Sequence, residues 1–198
     1  MGYFIDLLWL YVTRPAEGMR QIRKRPSVLV AMIALLLTGV IDAVSFRLLD
    51  VASILKSAGF TSQMIENVAK VQQAPGTFWT FVTEPFLLVM LSTAIIDAVA
   101  RLVWKRSAVP ALYTSLSISG LVGAALRLAG LLTEGIAGGV ILDVCAYGAM
   151  VYVFVIGVLA VKSFYEKSTV RAVALYLLPT LLGIGLLVLL TIAAGGAA

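Results

Sequence analysis

The sequence predicts an all-α, polytopic integral membrane protein: five transmembrane helices, a short N-terminal interfacial helix and an amphipathic helix in the loop after the first span. Three observations predict it. Of 198 residues, 61% are apolar and only 13% are charged, whereas a water-soluble domain carries about 25% charged residues. The apolar residues gather into five runs, each near or above the ~20 residues that cross a hydrocarbon core. Lys and Arg are concentrated between alternate runs, the asymmetry that fixes the orientation of membrane helices. The same composition excludes a disordered chain, which needs low hydrophobicity. One Cys and no His rule out a disulfide framework and leave zinc, haem and iron–sulfur centres without their usual ligands. No metal and no cofactor are expected.

Residues 1–26 form an N-terminal segment ahead of a membrane domain over 27–198. Within it Tyr3 to Val12 (YFIDLLWLYV) is too short to cross and is expected to lie along the cytoplasmic interface, held by Trp9 and the basic residues that follow. No cleavable signal is expected, because the positive residues follow this apolar stretch instead of preceding it. The Met-Gly start does not continue as a myristoylation motif, since Asp6 stands where Ser or Thr is required.

The first span runs from about Ser27 to Leu49. The loop that follows, about 50–76, contains Met64, Ile65, Val68 and Ala69 on one helical face, with Thr61 or Ser62 as the N-cap and Pro75-Gly76 as the stop. The second span covers about Phe78 to Trp104. Its tryptophans, Trp79 and Trp104, are 25 residues or about 37 Å apart along a helix, which matches the two interfacial belts. The third span covers about Val109 to Thr133, the fourth about Ile136 to Phe164, the fifth about Val170 to Ala193. Gly135 and Gly139, Gly120 and Ala124, and Ala94 and Ala98 have the small-x-x-x-small spacing of close helix contacts. Pro85, Pro110 and Pro179 fall near or within spans, where membrane helices tolerate proline. Ser115, Ser117 and Ser119 alternate and so spread over more than one helical face. Cys145 reads as a small packing residue.

Eleven of the 15 basic residues fall before the first span (including Arg20, Arg23, Lys24 and Arg25) or in the second-to-third and fourth-to-fifth connections, against three (Arg47, Lys56, Lys70) on the opposite side. This places the N-terminus in the cytoplasm and, with five spans, the C-terminus outside a cell membrane. The net charge of +5 thus follows from insertion topology, and nucleic acid is not an expected partner.

Charged groups within spans cost at least about 2.5–3.5 kcal/mol each by insertion scales, so they pair, face a cavity or carry function. Asp42, Glu84, Arg127 and Asp143 lie about 15 to 20 residues from the cytoplasmic ends of their helices, or about 22–30 Å in, a shared depth at which neighbouring helices bring them together. Three carboxylates against one guanidinium leave an excess of negative charge that a proton or a cation must offset. Two readings stay open: a structural network clamped by Arg127, or a proton, cation or substrate site. Asp97 and Arg101, at i and i+4 near the cytoplasmic end of the second span, are expected to pair. No hydrolase elbow, phosphate loop or His-based dyad is present, so an enzyme is not expected.

The C-terminal stretch VYVFVIGVLAVKSFYEKSTVRAVALYLLP (Val151 to Pro179) and the opening WLYVTRPAEGMRQIRKRPSVLVAMIALLL (Trp9 to Leu37) resemble the Yip family, the Ypt (Rab) interacting membrane proteins, in its prokaryotic form. The resemblance implies five spans, a cytoplasmic N-terminus and a role as membrane scaffold or adaptor. Eukaryotic relatives serve vesicle trafficking and bind Rab GTPases. Rab binding is not expected here, because only residues 1–26 precede the first span. The expected partners are the lipid bilayer and another copy of the chain or another membrane protein. The alternative function is a small transporter or channel for protons, cations or a small solute that uses Asp42, Glu84, Arg127 and Asp143. Whether those groups line an open cavity or a sealed, fully paired interface separates the two.

Overall fold

A computed structural model describes residues 2–137 and 139–195 of the chain. Nine helices account for them: α1 (Gly2–Thr13), α2 (Pro15–Lys24), α3 (Val28–Leu48), α4 (Val51–Ser57), α5 (Ser62–Gln73), α6 (Pro75–Trp104), α7 (Val109–Ala137), α8 (Gly139–Tyr165) and α9 (Thr169–Gly195). Five of them, α3 and α6 to α9, are long and apolar enough to cross a membrane. They begin or end within a few residues of the predicted spans, and α7 and α8 extend nearest to each other at the end away from the basic connections.

The N-terminal segment is a helical hairpin. Arg14 leaves the helical region at φ −145°, ψ 67°, since the residue before a proline is disfavoured there, and Pro15 then opens α2 where no amide donor is needed. Gly18 lets the two helices touch, since a Cβ there would lie 2.7 Å from the Tyr11 ring. Leu7, Tyr11, Met19 and Ile22 are buried, so the hairpin is docked on the bundle. The Tyr11 hydroxyl lies 2.5 Å from the Ser115 hydroxyl, and Tyr152 donates to the Tyr11 carbonyl at 3.0 Å. Burial pushes the Tyr11 phenol up, which keeps it a neutral hydrogen-bonding group. Trp9 and Ile5 remain on the outward face, available to lipid.

The centre of the bundle is α7, packed on α3 and α8 and touched by α1, α2 and α6. From Thr114 to Ser119 every side chain is buried, including all three alternating serines. Ser117 and Ser119 return their hydroxyls to the Tyr113 and Leu116 carbonyls, while Ser115 meets Tyr11. Glycines set the closest approaches. A Cβ at Gly123 would fall 2.7 Å from Val153 Cγ2, and one at Gly130 would fall 2.6 Å from Cys145 Cβ, so α7 and α8 meet through Gly123 and Gly130, with Cys145 as a packing residue. Between α3 and α6 the contact is backbone on backbone: a Cβ at Gly39 would lie 2.6 Å from Val82 Cα and 2.7 Å from the Phe81 carbonyl oxygen. That carbonyl lacks its helical donor because residue 85 is proline.

Of the predicted small-residue pairs, Ala124 is buried, but Gly120 has room beside it, the nearest atom to a built Cβ being Thr38 Oγ1 at 4.0 Å. Ala94 and Ala98 are exposed and pack no helix tightly among the described residues. Gly135 and Gly139 lie outside the residues whose surroundings are described.

The long connection holds α4 as well as the predicted α5. Asp50 and Thr61 cap them, accepting from the Ser53 and Met64 amides. The α5 stripe is half-buried at Ile65, Val68 and Ala69. Gln72 continues it and donates to the carbonyls of Phe46 and Leu49 at 2.5 and 2.9 Å, satisfying the end of α3.

The last helix is docked by its first half only. Ala172 and Leu175 are buried, and Tyr176 lies over Gly157, which has no side chain to obstruct it, and edge-on to Phe154 at 5.7 Å between centroids. Beyond Pro179, every residue from Thr180 to Ile192 is exposed.

Candidate functional site

Four helices bring the deep charged residues to one place. Thr38, Asp42, Ser45 and Phe46 from α3, Glu84, Pro85 and Leu88 from α6, Gly120 and Arg127 from α7, and Asp143 from α8 line a single cavity of about 660 Å³. Its size lies within the range of small-molecule sites. The shared depth read from span positions therefore corresponds to shared space. Arg127 donates to Asp42 Oδ1 at 2.8 Å, and both side chains keep some exposure, 41% and 23%. Glu84 and Asp143 are exposed on the cavity walls and make no ion pair or side-chain hydrogen bond among the described residues. One guanidinium thus neutralises one carboxylate, and two carboxylates face the open volume.

The rest of the lining is mostly apolar. The rings of Phe46 and Phe81 stack at 4.8 Å between centroids at the end nearer the α4–α5 loop. Leu88, Val89 and Val153 line the cavity towards the middle of the bundle. Ser45 Oγ is shielded and has no hydrogen-bond partner among the described residues, and Ser45 belongs to the same wall. Gly120 could not be recognised as a cavity residue from spacing alone, because the same small-residue pattern describes a helix contact.

The pair near the other end is different in kind. Asp97 is 2% exposed, and Arg101 reaches it at 2.5 Å as the i, i+4 spacing predicts. Three further donors converge on the same carboxylate: the Ser107 hydroxyl at 3.0 Å, the Ala108 amide at 2.9 Å and the Tyr165 hydroxyl at 2.8 Å. Asp97 therefore ties the end of α6 to the start of α7 and the end of α8. It is a fully satisfied structural knot.

The basic cluster Arg20, Arg23, Lys24 and Arg25 is exposed at this same end. Arg23 and Arg106 bracket Glu166, Arg23 at 2.5 Å. The two guanidiniums hold the Glu166 carboxyl down at about 2. Glu166 was not singled out by sequence, because its partners lie 143 and 60 residues away. Arg25 stacks on Tyr3 at 5.5 Å, and Lys167 on Trp104 at 5.1 Å.

These features define a multi-pass helical membrane protein with a charged cavity at one end of the bundle and a closed, ion-paired seam at the other. Compared with known family models, curated proteins and solved structures, the chain finds no match, and its function is read from its own residues.

Proposed function

We propose that this membrane protein binds a cation or a small cationic solute in the cavity between α3, α6, α7 and α8, as the substrate site of a small transporter. The observation that carries the reading is that Asp42, Glu84, Arg127 and Asp143 line one open volume in which, among the described residues, only the Arg127–Asp42 pair is closed. A network built for stability alone would seal and pair such groups, since an unmatched charge away from water is costly. An excess of carboxylate over guanidinium in a low-dielectric surround attracts positive charge. Arg127 serves as the internal counter-ion that holds Asp42 in place, and Glu84 and Asp143 receive the solute. In the orientation expected from the Lys/Arg distribution the cavity opens on the extracytoplasmic half.

Flux in proteoliposomes tests this. Gradient-driven uptake of a labelled organic cation or of protons should fall at least about tenfold in the paired variant Glu84→Gln with Asp143→Asn, and in Arg127→Gln. Flux unchanged by these variants and by Asp42→Asn would contradict it.

The second reading, a scaffold or adaptor of the Yip type, is supported by the exposed basic cluster at the hairpin end. It predicts that neutralising Arg20 and Lys24 abolishes a defined protein contact while leaving cation binding intact.

A further inference from the structure

The cavity has a back wall and two sides but no front. At the back α3 and α7 pack closely, and α6 packs on α3 while α8 packs on α7. Away from the Asp97–Tyr165 end, α6 and α8 make no sustained contact among the described residues. The helix that could cover this gap is α9, which touches both α6 and α8. Among the described residues it contributes none to the cavity lining, and after Pro179 its side chains through Ile192 are all exposed. The gap therefore opens sideways, at a level flanked by apolar helix surfaces.

The lining is divided along its length. All the charged groups, Glu84, Asp143 and the Asp42–Arg127 pair, lie towards the α4–α5 end beside Phe46 and Phe81, whereas Leu88, Val89, Gly120 and Val153 lie towards mid-bundle with Thr38, whose hydroxyl is spent on the Ala34 carbonyl. At Gly120 a side chain is missing where there is space for one. A ligand that was only a small hydrated cation would leave this apolar portion unused.

Resting on the cation-site reading above, we infer that the ligand is an amphiphile with a cationic headgroup, which enters from the membrane through the slot between α6 and α8. The headgroup lies between Glu84 and Asp143, with the shielded Ser45 hydroxyl on the α3 wall. The chain runs past Leu88 towards Gly120 or out through the slot into lipid. Both paths keep it out of water, so affinity measured against the free aqueous ligand rises with chain length.

The test uses the full chain in lipid nanodiscs and two probes, tetramethylammonium and dodecyltrimethylammonium, with binding to empty nanodiscs subtracted. Dodecyltrimethylammonium should bind at least about tenfold more tightly than tetramethylammonium. The Glu84→Gln, Asp143→Asn variant should bind neither. Leu88→Trp and Gly120→Leu, which obstruct the slot and fill the floor, should remove most of the chain-length gain, and an unchanged thermal unfolding midpoint shows that they are folded. If tetramethylammonium binds and the longer chain adds less than about threefold, or if its gain survives in both obstructing variants, the amphiphile is overturned and the cation site stands. If neither probe binds, or binding is indifferent to Glu84 and Asp143, both fail.

Discussion

At the residue scale, one glycine and one glutamate do more than their types suggest. Gly39 is the point where α3 and α6 backbones meet, with a Cβ denied space by Val82 Cα and the Phe81 carbonyl. Neither obstacle is a flexible side-chain tip, so Gly39→Ala forces the helices apart. We expect a loss of about 1–3 kcal/mol, the range for overpacking, read as reduced thermal stability in nanodiscs. Glu166 sits at φ 55°, a left-handed conformation uncommon for a residue with a side chain, and is held there by Arg23 and Arg106. Its carboxyl is depressed in the folded protein from 4.5 to about 2. Its contribution to stability is therefore complete above about pH 4.5 and is lost as the pH falls towards 2. An unfolding series over that window should show a decline that Glu166→Gln removes. The group is exposed, so the effect is modest.

At the element scale, the ends of α6, α7 and α8 are joined through one carboxylate. Asp97 receives Arg101, Ser107, the Ala108 amide and Tyr165 while almost completely buried. Asp97→Ala leaves these donors without an acceptor and should destabilise the protein by on the order of 3 kcal/mol, as measured by thermal unfolding. Tyr165→Phe, which removes a single donor and leaves the others in place, should cost about 1 kcal/mol. Sequence periodicity found the Asp97–Arg101 pair because i, i+4 is a local relation. It could not find Tyr165, 68 residues away, for the same reason. The amphipathic stripe of α5 was legible through Ile65 and Val68, but α4 was not, since its seven residues make about two turns, too short a window for a periodic signal.

At the scale of the whole molecule, hydropathy and Lys/Arg placement were enough to recover five membrane-length helices, because bilayer thickness imposes them on composition directly. The depth of Asp42, Glu84, Arg127 and Asp143 was also legible, since rise per residue converts position into depth. What could not be read was which helices are neighbours. That depends on Gly39, Gly123, Gly130 and Gly157, whose role is to be absent at a contact, and on α9 leaving the bundle after Pro179. The result is a bundle tightly closed around α7 at the hairpin end and open between α6 and α8 at the other. This asymmetry turns four scattered charges into one site.

On the proposed function these charges face an open cavity that attracts cations. Cysteine accessibility in liposomes tests it most directly. In a Cys145→Ser background, Ala146→Cys places a thiol on the cavity wall beside Asp143. A trimethylammonium-bearing methanethiosulfonate should label it several-fold faster than its sulfonate counterpart, and Glu84→Gln with Asp143→Asn should abolish that preference. A thiol that neither reagent reaches, or equal rates for both charges with the acids intact, would contradict the account.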